Sequence, residues 1–83
     1  MSRMHKEKLL FIKMIRDERV IRHLNQETLA HILNVTQSII SKNESGDRQM
    51  DFLELRNFCM ALGIKLDVFV KKFEKELRKL KNQ

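Results

Sequence analysis

Between Asn25 and Gly46 the chain sets two helix-length segments, QETLAHIL and QSIISKNES, on either side of only three residues, Asn34, Val35 and Thr36. So short a connection holds two helices in contact at a steep angle and leaves little freedom in how they lie. Each segment has its own start and stop. Asn25 suits the N-cap of the first, because its side chain can accept from the free backbone N–H groups of the opening turn. Leu29, Ile32 and Leu33 follow at helical spacing, and Ala30 is small enough for a close helix crossing. Asn34 tolerates the left-handed conformation and can end the segment. Thr36 caps the second segment and Gly46 closes it, since glycine enters the left-handed region without steric cost. Ile40 is expected to face inward.

The same punctuation extends over the rest of the chain. A first helix is predicted over about Lys6–Arg22. Its face of Phe11, Ile15 and Val20 is widened by Leu10, Ile12, Met14 and Ile21, which suggests contacts on two sides. Asp51 with Glu54 three positions later forms a capping-box pattern. Leu55, Phe58, Cys59 and Leu62 follow, and Gly63 ends that helix. Asp67 is read as the cap of the last helix, whose stripe is Leu66, Phe69, Phe73, Leu77 and Leu80. Proline is absent and there are only two glycines. The expectation is an all-α fold of five helices in one domain spanning residues 1–83, a length near the lower limit for a core without staples.

The formal net charge is +6. A basic balance suits a polyanion partner, but the surplus lies at the ends. Residues 1–22 hold seven Lys/Arg against three Asp/Glu, and residues 71–83 hold six against two, while residues 23–70 hold four against six. Charge alone therefore does not single out the central segments. No stretch reaches the apolar length of a membrane span, and the start lacks a secretory apolar region. A single cysteine builds no disulfide framework, so a reducing, cytoplasmic setting is expected. Cys59 reads as a small core residue. The histidines, His5, His23 and His31, have no metal-ligand spacing, and no catalytic constellation is present. No cofactor, metal or enzymatic activity is expected.

The polar residues of the second segment carry the chemistry. Gln37, Ser38, Ser41, Lys42 and Asn43 are mostly uncharged, whereas a helix needing only solubility would carry more Glu and Lys. Gln can bond adenine N6 and N7 as a pair, Lys can read guanine O6 and N7, and Ser suits several bases. Gln and Asn also bond phosphate oxygens without adding charge. Two helices joined by a three-residue turn read as a helix-turn-helix, which lays its second helix in a DNA major groove.

At this point the stretch from Ile15 to Phe69 resembles the Cro/C1-type (XRE family) helix-turn-helix domain. The resemblance rests on Arg16 and Arg19 in an Arg-x-x-Arg pattern, LNQETLA from Leu24 to Ala30, Ser41-Lys42 leading into Glu44, Gly46, and ALGI from Ala61 to Ile64. It implies a five-helix, lambda-repressor-like domain over 15–69 with a helical extension over 70–83. It implies double-stranded DNA as partner and Gln26, Gln37, Ser38, Ser41, Lys42, Asn43 and Arg48 as DNA-binding residues. Gln26 would sit beside a phosphate and steady Gln37. Arg19 and Glu44 would form an ion pair between the first and third helices. Asn43 departs from the family pattern, which favours an aromatic or aliphatic residue there.

The expected function is a sequence-specific transcriptional regulator of repressor or controller type. The alternative is the antitoxin of a toxin–antitoxin pair, with a toxin protein as an additional partner. The last stripe has two readings. It packs on the spare face of the first helix over Leu10 and Met14, or Phe69, Phe73, Leu77 and Leu80 form the interface of a homodimer. Some dimer contact is favoured, because a domain this small gains much from twofold symmetry on DNA.

Overall fold

The computed structural model describes residues 3–82, which form five α-helices: α1 (Arg3–Val20), α2 (Gln26–Leu33), α3 (Gln37–Ser45), α4 (Phe52–Ala61) and α5 (Leu66–Lys81). Among the described residues there is no strand. Local chemistry sets most of the boundaries. The Asn25 side chain accepts from the Thr28 N–H at 2.7 Å. Asn34 adopts φ 57°, and its own N–H closes the end of α2. Thr36 accepts from the Ile39 N–H at 3.3 Å. Asp51 accepts from the Glu54 N–H at 2.8 Å and Glu54 accepts from the Asp51 N–H at 3.2 Å, a reciprocal capping box.

Three boundaries differ from the sequence reading, and the first is that α1 begins three residues before Lys6, at Arg3. Helix α1 stops at Val20, where Leu24 donates back to the Arg19 carbonyl and His23 takes φ 59°. Val20 and Ile21 consequently lie 52 % and 62 % exposed rather than on the apolar face. Asp67 is not the cap of α5. The helix begins at Leu66, the N-cap position belongs to Lys65, and that cap makes no side-chain hydrogen bond. Asp67 is already helical, so it cannot hold the extended backbone a cap needs. Its charge lies in the first turn, where it complements the helix dipole.

The core is drawn from every helix. Met14 and Ile15 of α1 meet Leu29 and Ala30 of α2, Ile40 of α3, Phe58 and Cys59 of α4, and Phe69 of α5. Burying each of the larger side chains contributes about 1.5–3 kcal/mol. Burial pushes the Cys59 thiol pKa up, with a smaller contribution from the Glu18 charge, so its reactive thiolate is disfavoured. Ile32, at helical spacing from Leu29, is nevertheless exposed, and Leu29 and Ala30 take the inner face of α2.

Helix α5 packs along α1. The Phe11 ring meets Phe69 and Phe73 edge-on at centroid distances of 6.2 and 6.5 Å. Leu10, Met14 and Leu80 line a shallow cleft between the same two helices. A buried carboxylate reinforces this side: Glu18 pairs with Arg22 at 2.8 Å and Lys72 at 3.4 Å. Arg22 also donates to the Leu62 carbonyl, tying the turn after α1 to the end of α4. The stripe is thus largely consumed within the chain. Phe69 is 2 % and Leu77 is 8 % exposed, so neither has apolar surface left to form the dimer seam expected of it. Phe73 and Leu80 keep part of theirs.

Candidate nucleic-acid interface

Helix α3 has two faces of different character. At 3.6 residues per turn, Gln37, Ser38, Ser41 and Lys42 fall within an arc of about 140°. All four are exposed, and their side chains make no hydrogen bond or ion pair among the described residues. The opposite face holds Ile40, Asn43 and Glu44, all buried. The outer face is therefore polar and uncommitted, while the inner face is fixed to the rest of the domain.

Glu44 is the main fixing point. Arg19 of α1 grips it with two bonds, Nε to Oε2 at 2.7 Å and Nη2 to Oε1 at 2.9 Å. The remaining Arg19 nitrogen, Nη1, donates to the Leu24 carbonyl at 2.7 Å in the turn before α2. The Glu44 hydrogen bond holds the Arg19 pKa above its ordinary value, against the opposing effect of burial. Gln26, the first residue of α2, donates Nε2 to Glu44 Oε1 at 3.2 Å. Gln26 thus steadies Glu44 rather than Gln37. One carboxylate ties α3 to α1 and to the start of α2. Parallel paired bonds of this kind add angular definition as well as energy.

The end of α3 is fixed separately. Asn43 is 4 % exposed, and its Nδ2 donates to the Arg48 carbonyl at 3.1 Å. The Arg48 N–H donates to the Lys42 carbonyl at 3.1 Å. Asn43 therefore belongs to the inner face, and its expected place among the DNA contacts is corrected. Its amide is spent on folding the α3–α4 loop back onto the helix. Gly46 makes that fold feasible. It has φ 89°, and a Cβ there would lie 2.9 Å from Ile12 Cδ1, so no other residue fits without strain. Arg48 projects from the loop and pairs with Glu54 at 2.6 Å, at partial exposure. That hydrogen bond holds the Glu54 carboxyl below the usual carboxylate range.

Sequence reasoning missed three parts of this arrangement. The Glu18–Arg22–Lys72 cluster had a signal, the four-residue spacing of Glu18 and Arg22 on one helix. Inward Asn43 was signalled by its standing at a position that favours apolar residues. The Gln26–Glu44 bond had none, because it joins two segments whose relative placement only the fold sets.

No curated protein matches the sequence significantly. Solved structures of one controller protein align along most of the chain. The wild-type restriction–modification controller protein C.Esp1396I superposes with a TM-score of 0.74 at 27 % identity, covering 88 % of this chain and 92 % of that one. A single-residue mutant of the same controller gives 0.75 at the same identity and coverage. The helix-turn-helix family HTH_3 matches residues 15–69, well over half of the chain. With its five-helix fold and the exposed face of α3, the chain belongs to the Cro/C1-type (XRE) helix-turn-helix family of DNA-binding transcriptional regulators.

Proposed function

We propose that the protein is a sequence-specific regulator of controller or repressor type that inserts α3 into the DNA major groove and binds as a homodimer. The observation that carries this reading is the uncommitted face of Gln37, Ser38, Ser41 and Lys42 on a helix clamped from behind through Glu44. Base readout needs such donors and acceptors held at fixed positions, since a loosely placed helix would lose the geometry that separates one base pair from another. In this reading Gln37 and Lys42 discriminate bases, with Ser38 and Ser41 beside them. Gln26 and Arg48 hold phosphates. A Gln amide nitrogen has two N–H bonds, so Gln26 keeps one for a phosphate while the other serves Glu44. Arg48 spends Nη1 on Glu54 and keeps Nε and Nη2. The controller assignment is supported by the likeness to a restriction–modification controller.

The test is selection of bound DNA from a random pool, followed by binding to the selected site and to its single-base variants at two salt concentrations. Gln37→Ala and Lys42→Ala should each cost ~1–3 kcal/mol on the selected site and relax preference at one or two positions. Gln26→Ala should weaken all sites evenly, because a phosphate contact carries no sequence code. A dimer should select two inverted half-sites about 10 bp apart or a multiple of that. Full retention of preference in both α3 variants would remove α3 as the reader.

A further inference from the structure

Helix α5 turns a second face to solvent, opposite the one spent on α1. Residues 71–83 hold six Lys/Arg against two Asp/Glu. Two of the six are committed, Lys72 to Glu18 at 3.4 Å and Lys79 to Glu76 at 3.2 Å. Lys71, Lys75 and Arg78 are exposed, and their side chains make no hydrogen bond or ion pair among the described residues. At 3.6 residues per turn these three fall within an arc of about 60°, turned away from Phe69, Phe73 and Leu77. Glu74 and Lys81 border the arc on one edge and offset each other. Asp67, one turn before Lys71, lies in the first turn, where it complements the helix dipole. Like charges four residues apart destabilise a helix, so Lys71 and Lys75 cost α5 stability that an anion lying along them would relieve.

We propose that this ridge holds the phosphate backbone of a second DNA duplex, without regard to sequence, while α3 engages the first. This goes beyond the reading assigned to α3 and stands on separate residues. Helix α1 packs on both α3 and α5 and separates them, so the ridge is turned to a different side of the domain from the reading face. The shortest extent of the domain is 23 Å. Two duplexes held apart by that body are screened from each other, since the Debye length at physiological salt is about 8 Å. Charge placement agrees. Residues 23–70 hold four Lys/Arg against six Asp/Glu, so the surplus that attracts a polyanion lies largely away from the reading helices. The ridge also lacks what other polyanionic partners need. A protein interface draws its energy from apolar or aromatic anchors, and among the residues of this arc and its edges only Val68 is apolar. A membrane surface takes up the apolar face of an amphipathic helix, and here that face is folded onto α1. A phosphate backbone needs only cations. Lys71 to Arg78 spans about 10 Å of helix, along which a duplex presents about six phosphates, so each cation meets one without a required register.

A duplex tethered to beads and saturated with the full chain tests this by capture of a second, fluorescent duplex of unrelated sequence. Wild-type protein should capture it. The triple variant Lys71→Gln, Lys75→Gln, Arg78→Gln should still bind the tethered duplex and lose most of the capture. Its binding to unrelated duplex should show a salt slope shallower by about 2.7, three cations at about 0.9 each. Lys71→Arg with Lys75→Arg should keep capture, because the charge is retained. Circular dichroism should show wild-type helicity for the triple variant, since the three side chains are exposed and unpaired within the chain. A folded triple variant that captures as well as wild type would overturn the proposal, because a homodimer joining two duplexes through its two reading helices would then suffice. So would an unchanged salt slope, or a ridge that holds vesicles of phosphatidylserine and phosphatidylcholine but no duplex. Failure of the α3 reading would look different: selected and unrelated duplexes would bind equally, while capture through the ridge persisted.

Discussion

Removing Arg19 should cost the domain a large share of its stability. The Glu44 side chain is 6 % exposed and that of Arg19 is 13 %, so water cannot replace the bonds between them. In Arg19→Ala the Glu44 carboxylate keeps only the Gln26 amide at 3.2 Å. An uncompensated buried charge of this kind typically costs about 3–5 kcal/mol, and the residual exposure of the pair puts the expected loss near the lower limit, about 3 kcal/mol. For a domain of this size the corresponding fall in melting temperature is roughly 12–24 °C. Glu44→Ala should cost somewhat less. Arg19 is the more exposed partner, and it keeps its 2.7 Å bond to the Leu24 carbonyl. Urea unfolding followed by circular dichroism, on both single variants and the double variant, gives the coupling. The double variant should be more stable than the summed single losses predict, by about 2 kcal/mol, because one term in each single loss is the stranded charge of the other partner. Gln49→Ala, at an exposed loop position, is the control and should change little. Strict additivity would refute the reasoning, since the two groups would then contribute independently and the close geometry would carry no net energy.

Other perturbations probe the inner face and the loop behind it. Asn43→Ala should destabilise by about 1–2 kcal/mol, from one lost hydrogen bond and a small void, and leave base preference unchanged. A changed preference at one base pair in the variant panel would return Asn43 to the reading face. Gly46→Ala should cost about 1–3 kcal/mol through its positive φ and the approach to Ile12, read as a lower urea midpoint with unchanged slope. Glu54 has its folded-state pKa depressed, first by the Arg48 hydrogen bond. Its contribution is therefore present above the unfolded carboxylate pKa and is lost as pH falls through the depressed folded value. Thermal melts taken from neutral to acid pH should show a shallower acid limb for Glu54→Gln than for wild type, and parallel limbs would mean that the pair is energetically silent.

How much of this was legible in the sequence depended on how local the cause was. Asn25, Thr36, Gly46 and the Asp51–Glu54 box act within four residues of the boundaries they set, and each could be read directly because capping is a property of a short segment. Asp67 misled for a local reason as well. Aspartate is favoured both at the cap and inside the first turn, and only backbone conformation separates the two. The division of α3 into an outer and an inner face followed from helical period for Ile40; for Asn43 the one sign was its standing where the family favours an apolar residue, and an amide there does not name its partner. That partner, the Arg48 carbonyl, lies on a loop whose path depends on Gly46 passing close to Ile12 of α1. The α5 stripe shows the same limit in reverse. Its spacing of three and four established an apolar face without saying what covers it, and period alone treats the chain's own α1 and a second protomer alike. Phe11 decides between them, by standing edge-on to both Phe69 and Phe73. The sequence placed Phe52 beside a cap and not within an apolar stripe, so its 64 % exposure at the first position of α4 became visible only once the neighbouring helices were placed.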